Sequence, residues 1–262
     1  MSILELTNVS YRAGGRLILD RVNWQVEPGQ HWAILGANGA GKTTLLKIAC
    51  GYLWPNSGGE VTRLGQRLLD LRELRKSIGW VTLDMPGKVP ADEPALDTVV
   101  SGRFAQVGLR RKLLRDELHA RLFDEAREQL AALGADSLAA QAFGTLSQGE
   151  RQKVLIARAR MAKPLVIFLD EPCGGLDPGA REHLLAALEQ LAQRTDDIAL
   201  VLVTHHVEEI MPAFTNTLAM ANGAVVAKGE SSELLTTALM TQLYDVSSPQ
   251  WIRSNGRVWP VW

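Results

Sequence analysis

The chain has 262 residues, 46% hydrophobic and 22% charged, with 28 Lys and Arg against 29 Asp and Glu. This composition excludes a disordered or collagen-like chain, and the lack of a basic excess argues against nucleic acid as a main partner. No apolar run nears the roughly 18 residues of a spanning helix, and two cysteines, Cys50 and Cys173, make neither a disulfide framework nor a zinc site. Residues 1–6 carry Glu5 and lack a basic start followed by an apolar stretch, so neither a leader nor export from a reducing cytoplasm is expected.

The elements follow in chain order. Leu4 and Leu6, then Val22, Trp24 and Val26, alternate with polar neighbours and predict strands of a half-buried antiparallel sheet. Turns are expected at Ala13-Gly14-Gly15 and at Glu27-Pro28-Gly29. Residues 32–35, 165–169 and 200–203 are short continuous apolar runs, as in parallel strands covered on both faces. Residues 42–50 read as a helix closed by Gly51. Residues 84–161 are mostly helical and read as a subdomain inserted between core strands. In it Leu114, Leu118, Leu122, Leu130 and Leu133 recur at helical spacing, with Gly134 as C-cap. Leu184, Leu188 and Leu191 mark a helix after Asp177-Pro178. Ala221-Asn222-Gly223-Ala224 predicts a late hairpin. A short tail holds Trp251, Trp259 and Trp262.

Three segments carry chemistry. Gly36, Ala37, Asn38, Gly39, Ala40, Gly41, Lys42 and Thr43 fit G-x-x-x-x-G-K-[ST] between an apolar strand and a helix. Phosphates need many donors in a small space, which glycine-turned backbone N–H groups and a helix N-terminus supply. Lys42 can reach the β- and γ-phosphates, and the Thr43 hydroxyl can ligate Mg²⁺. The run 166–171 ends in Asp170 and Glu171, which suit a metal-holding carboxylate and a general base. Two acids capping an exposed strand end would look the same. Ser147 and Glu150, three residues apart, form a capping box before a helix, and such a start can also face a phosphate. His205 and His206 follow the run 200–203, where a histidine is more often structural than catalytic. Tyr11 fits either a core position or a base-stacking one.

Taken in order, Tyr11, 36–43, 146–150, Asp170-Glu171, Leu176-Asp177 and His205 resemble the nucleotide-binding subunit of an ABC transporter over about residues 3–230. The resemblance implies an α/β fold: a P-loop core, an N-terminal antiparallel β part and an inserted helical subdomain. The expected parts are 1–83 (β part and phosphate loop), 84–161 (helical, with the signature), 162–230 (acidic strand to histidine) and 231–262 (tail). It implies ATP and Mg²⁺ as cofactors. Tyr11 would stack on adenine, 36–43 and Thr44 would hold the phosphates, and Thr43 and Asp170 would hold the metal. Glu171 would be the catalytic base and His205 the contact to the γ-phosphate. Ser147, Gln148, Gly149 and Glu150 would act on the partner's ATP, with Asp177 in the D-loop. Two similar or identical chains would thus enclose two ATP molecules. Each would sit on the inner face of a membrane and energise transport through separate permease subunits, with no nucleic acid involved. A soluble ABC ATPase with a non-transport role is the rival.

Departures from the family pattern stand out. The usual LSGGQ signature is Leu-Ser-Gln-Gly-Glu here, so Gln148 and Glu150 are replacements. The family's glutamine that touches Mg²⁺ and water is replaced by Leu83, which has no ligand atom. Asp84 is the nearest carboxylate in sequence; it either takes over part of that work or is a solvated loop acid.

Overall fold

The structure, a computed structural model, describes residues 1–67, 70–110, 116–194, 198–246 and 250–261. The chain starts with an antiparallel pair, β1 (Leu4–Ala13) and β2 (Arg16–Val26), turning at the predicted glycines. The strand β3 (Trp32–Leu35) and helix α1 (Lys42–Ala49) follow, and β4 (Glu60–Arg63) then returns to pair with β1. The helix α2 (Leu71–Ser77) leads into β5 (Ile78–Val81). Three helices come next: α3 (Ala95–Ser101), α4 (Asp116–Ala131) and α5 (Gln148–Arg160). The core resumes with β6 (Val166–Asp170), α6 (Pro178–Arg194), β7 (Ala199–Thr204), β8 (Asn216–Ala221) and β9 (Ala224–Glu230). The helices α7 (Ser231–Leu234) and α8 (Thr237–Tyr244) and the hairpin of β10 (Gln250–Ser254) and β11 (Arg257–Val261) end it.

Six strands make the central sheet in the order β5-β6-β7-β3-β8-β9, parallel except for β9. Its central strands β3, β6 and β7 are apolar but for the terminal Asp170 and Thr204, because each face meets a different core. Ala33, Leu35, Ile167, Leu169, Leu200 and Leu202 pack toward α3, α4, α5 and α6. The alternate residues Trp32, Ile34, Val166, Phe168, Val201 and Val203 pack toward α1 and the small β2-β1-β4 sheet. Trp24 of that sheet stands edge-on to Trp32 and Phe168, with ring centroids 5.9 and 6.3 Å away.

Local chemistry sets the helix ends as the sequence suggests. Gly134 adopts φ +59° beyond α4, with its N–H on the Ala131 carbonyl and that of Ala135 on Leu130; this is a Schellman stop. Leu114 of the periodic run lies outside the described residues, as does Trp262. Asp177 caps α6 through the Ala180 N–H at 3.0 Å, with Pro178 in the first turn. At the other end of α1, the buried Arg63 gives its guanidinium to the carbonyls of Ile48 and Ala49. A cation at a helix C-terminus complements both the unpaired carbonyls and the dipole.

The tail is more structured than its sequence suggests. Arg257 of β11 binds Glu182 on α6 and the Glu208 carbonyl, and lies 4.8 Å from the Trp259 ring centroid.

Candidate functional site

Strand order explains where the candidate residues meet. β6, β7 and β3 are neighbours, so their carboxyl ends deliver Asp170-Glu171, His205 and the loop 36–41 to one edge of the sheet. Crevices outside the carboxyl ends of such strands are the usual ligand sites of open α/β sheets.

The loop is shaped by close approaches. A Cβ on Gly36 would lie 2.3 Å from the Met220 carbonyl oxygen, so no larger residue fits there. Gly41 adopts φ +99° against Leu19 and the Ile18 carbonyl, directly before α1 begins. The predicted hairpin between β8 and β9 braces the loop: the Gly223 N–H binds Ala40 O, and the Gly223 carbonyl accepts from Asp20 N–H. Tyr11 pairs with Leu19 across β1 and β2, one strand removed from Gly41.

Lys42 is only 5% exposed, and its Nζ donates to Gly36 O at 2.7 Å and Ala37 O at 3.1 Å. Burial holds its pKa below the usual lysine value, against the pull of Glu171 and Asp170. Its Nζ lies 3.8 Å from Glu171 Oε1, and the same oxygen lies 3.2 Å from His205 Nδ1. Glu171 itself adopts φ +50°, a left-handed conformation that costs a non-glycine residue energy. It is held there by its N–H on the Val203 carbonyl. Strain of this kind collects at functional sites.

Asp170, 9% exposed, accepts a hydrogen bond from the Thr43 side chain. Burial first, then the neighbouring Glu171, raises its pKa to about 6. Thr43, Asp170 and Glu171 line a cavity of about 520 Å³ with Tyr52, Leu83 and Asp84. The set offers hard oxygen donors, which suit Mg²⁺, an ion that takes few protein ligands and keeps its waters. Among the described residues, no cluster of three or more His, Cys, Asp or Glu forms a closed metal cage. Leu83 is 47% exposed at the rim. Asp84 shares the cavity, but Thr82 and Lys88 (2.6 Å) engage its two oxygens. Those bonds, Lys88 first, hold its pKa below the usual carboxylate range.

The turn 147–150 lines a different hollow from that of Thr43, Asp170 and Glu171. Ser147 and Glu150 exchange both bonds of the capping box, Glu150 N–H to Ser147 Oγ at 3.3 Å and Ser147 N–H to Glu150 Oε2 at 2.8 Å. Hydrogen bonding to the Ser147 side chain first, and to its backbone N–H next, holds the Glu150 carboxyl below its ordinary range. Ser147, Gly149 and Glu150 line a separate hollow with Lys153, Ala180 and His183.

Sequence reasoning missed two contacts. The Tyr244 hydroxyl donates to the His205 carbonyl at 2.9 Å, holding the histidine turn from α8. Gln148 Nε2 donates to the Gly174 carbonyl at 2.6 Å. Neither has a local cue, because each pair is far apart in sequence.

The family model for ABC transporters matches residues 19–174. An ABC transporter ATP-binding protein of Bacillus subtilis strain 168 is 39% identical over 246 residues, covering 93% of this chain and 91% of that one. A phosphonates import ATP-binding protein of Cupriavidus metallidurans is 34% identical over 249 residues, covering 90% and 84%. A solved component of the cbiONQ ABC transporter complex of Clostridium perfringens superposes with a TM-score of 0.77 at 25% identity, covering 92% and 93%. The chain belongs to the ABC transporter family, as one of its ATP-binding ATPase subunits.

Proposed function

We propose that this subunit binds Mg-ATP on the loop 36–44 and hydrolyses it with Glu171 as general base. The observation that carries this reading is that Glu171 Oε1 lies within 4 Å of both Lys42 Nζ, at the start of α1, and His205 Nδ1. Inward N–H groups of the loop, the dipole of α1 and the Lys42 ammonium supply positive potential for the β- and γ-phosphates. Thr43 and Asp170 would hold Mg²⁺, which neutralises developing phosphate charge. Glu171 accepts the proton of the attacking water, and His205 fixes the carboxylate that does so.

Ser147 lines a hollow that shares no residue with the cavity of Thr43, Asp170 and Glu171, which supports a dimer in which each signature turn closes the partner's site. Docked on membrane subunits at the cytoplasmic face, such a dimer would drive transport. Among the described residues no helix is long and apolar enough to cross a membrane, so the path for substrate would lie in other chains. The non-transport reading draws on Leu83, which lacks the ligand atom that the family uses here. Purification from membranes separates the two: co-eluting integral proteins support transport. ATP-analogue binding and phosphate release by Lys42→Ala and Glu171→Gln test the site. Undiminished binding in the first, or undiminished turnover in the second, would overturn it.

A further inference from the structure

Two of the family departures converge on one dipeptide. Gln148, from the signature turn, donates to Gly174 O at 2.6 Å. Leu83, from the loop after β5, packs against the same glycine: a Cβ on Gly174 would sit 3.2 and 3.4 Å from its two methyl carbons. A Cβ on Gly175, at φ +75°, would sit 2.9 Å from Gln148 Nε2. Large residues at 83 and 148 are thus matched by two residues without side chains at 174 and 175. The Gly174 N–H in turn donates to the Glu171 carbonyl at 2.9 Å. A continuous path therefore runs from the Gln148 amide through one residue, Gly174, to the backbone of Glu171.

We infer that Gln148 is a positioning residue for Glu171 of its own chain, with Leu83 packing against the same loop. The inference rests on the hydrolysis reading above. The neighbouring Ser147 serves the site of the partner, whereas Gln148 reaches back to the site of its own chain. One turn thereby links the two ATP sites. This is a physical role for a residue type that the signature pattern does not carry. Glu171 holds a strained backbone conformation, so a brace on the turn that follows it has a direct effect on where its carboxylate points.

Gln148→Glu keeps the length, loses the N–H donor and turns an acceptor toward Gly174 O. Gln148→Ala removes both. Each should lower kcat roughly five- to tenfold, the size expected of one hydrogen bond, while ATP affinity of the monomer stays unchanged. Mixed dimers assign the direction. The reference is Lys42→Ala paired with the unsubstituted chain, which leaves one working site. In the first test dimer, a Lys42→Ala chain pairs with a Gln148→Glu chain, so the working site contains the Glu171 of the chain that lost Gln148. In the second, one chain carries both substitutions and its partner none, so that Glu171 keeps its brace. Slow hydrolysis in the first and the reference rate in the second are expected. The reverse pattern would place Gln148 on the partner's nucleotide and overturn the inference, as would reference rates in both. If the reference dimer hydrolyses nothing, the two-site reading fails instead. Hydrogen exchange at the Gly174 amide of the single chain then decides: it should speed up in Gln148→Glu, and unchanged exchange overturns the brace.

Discussion

Asp170→Asn should stabilise the metal-free and nucleotide-free protein near neutral pH while abolishing its turnover. Asp170 is 9% exposed, and its pKa is raised from an ordinary 3.8 to about 6 by burial and by the adjacent Glu171. Below pH 4 the carboxyl is neutral in the folded and the unfolded chain, so burial of charge costs nothing. Between pH 4 and 6 the unfolded chain ionises while the folded one keeps its proton, and stability falls as pH rises. Above pH 6 the whole cost is present. The gap between about 6 and 3.8 corresponds to about 3 kcal/mol. Asparagine keeps the acceptor for Thr43 and carries no charge, so it should recover most of that above pH 6 and little at pH 4. Urea unfolding in chelator, run for both proteins from pH 4 to 8, measures the difference. A stability gap that stays flat across this range would refute the reasoning, because a desolvated carboxylate must show its cost as it ionises. Stored instability of this kind is common where a site must present charge to a ligand.

Glu171→Gln should retain ATP but lose turnover by roughly a hundredfold or more, the range for a lost general base; sizing in Mg-ATP should show an accumulated dimer. Ser147→Arg should leave ATP binding by the monomer intact and stop hydrolysis, and mixing with Lys42→Ala should restore one working site per heterodimer. Arg63→Leu should cost about 2–4 kcal/mol in denaturant, because the Ile48 and Ala49 carbonyls lose a buried charged donor. Asp84→Ala should leave kcat and the Mg²⁺ requirement unchanged, since Thr82 and Lys88 already occupy its oxygens; a raised Mg²⁺ requirement would give Asp84 the role that Leu83 lacks.

Much of this was legible because it is local. The apolar runs that became β3, β6 and β7, the capping box at Ser147 and the proline-led start of α6 are written in consecutive residues. The loop 36–41 proposed to hold phosphate is likewise continuous, and its strand and helix flank it. The contacts that escaped are long-range and use common residue types. Nothing near Arg63 announces that its guanidinium will end α1, and nothing near Tyr244 announces the carbonyl of His205. The tail hairpin escaped for a different reason: Trp251 and Ile252 are half-buried and exposed respectively, so its strands lack a clean alternation. Its place is set by Arg257 meeting Glu182 and Glu208.

The central position of β3 has a consequence for the order in which the protein can be made. Trp32 pairs with Val201 on one side and Asn216 on the other, so the strand that carries the phosphate loop leaves the ribosome long before either neighbour exists. At ordinary elongation rates of about 5–20 residues per second, the delay is roughly 10–30 s. During that interval β1, β2 and β4 can already pair with one another, while the apolar run 32–35 has no strand to join. The nascent chain therefore exposes a sticky edge for its longest time at the strand that leads into the loop proposed to hold nucleotide. Truncated products ending before residue 199 should be captured by chaperones or aggregate, whereas those extending past residue 221 can close the sheet around the loop.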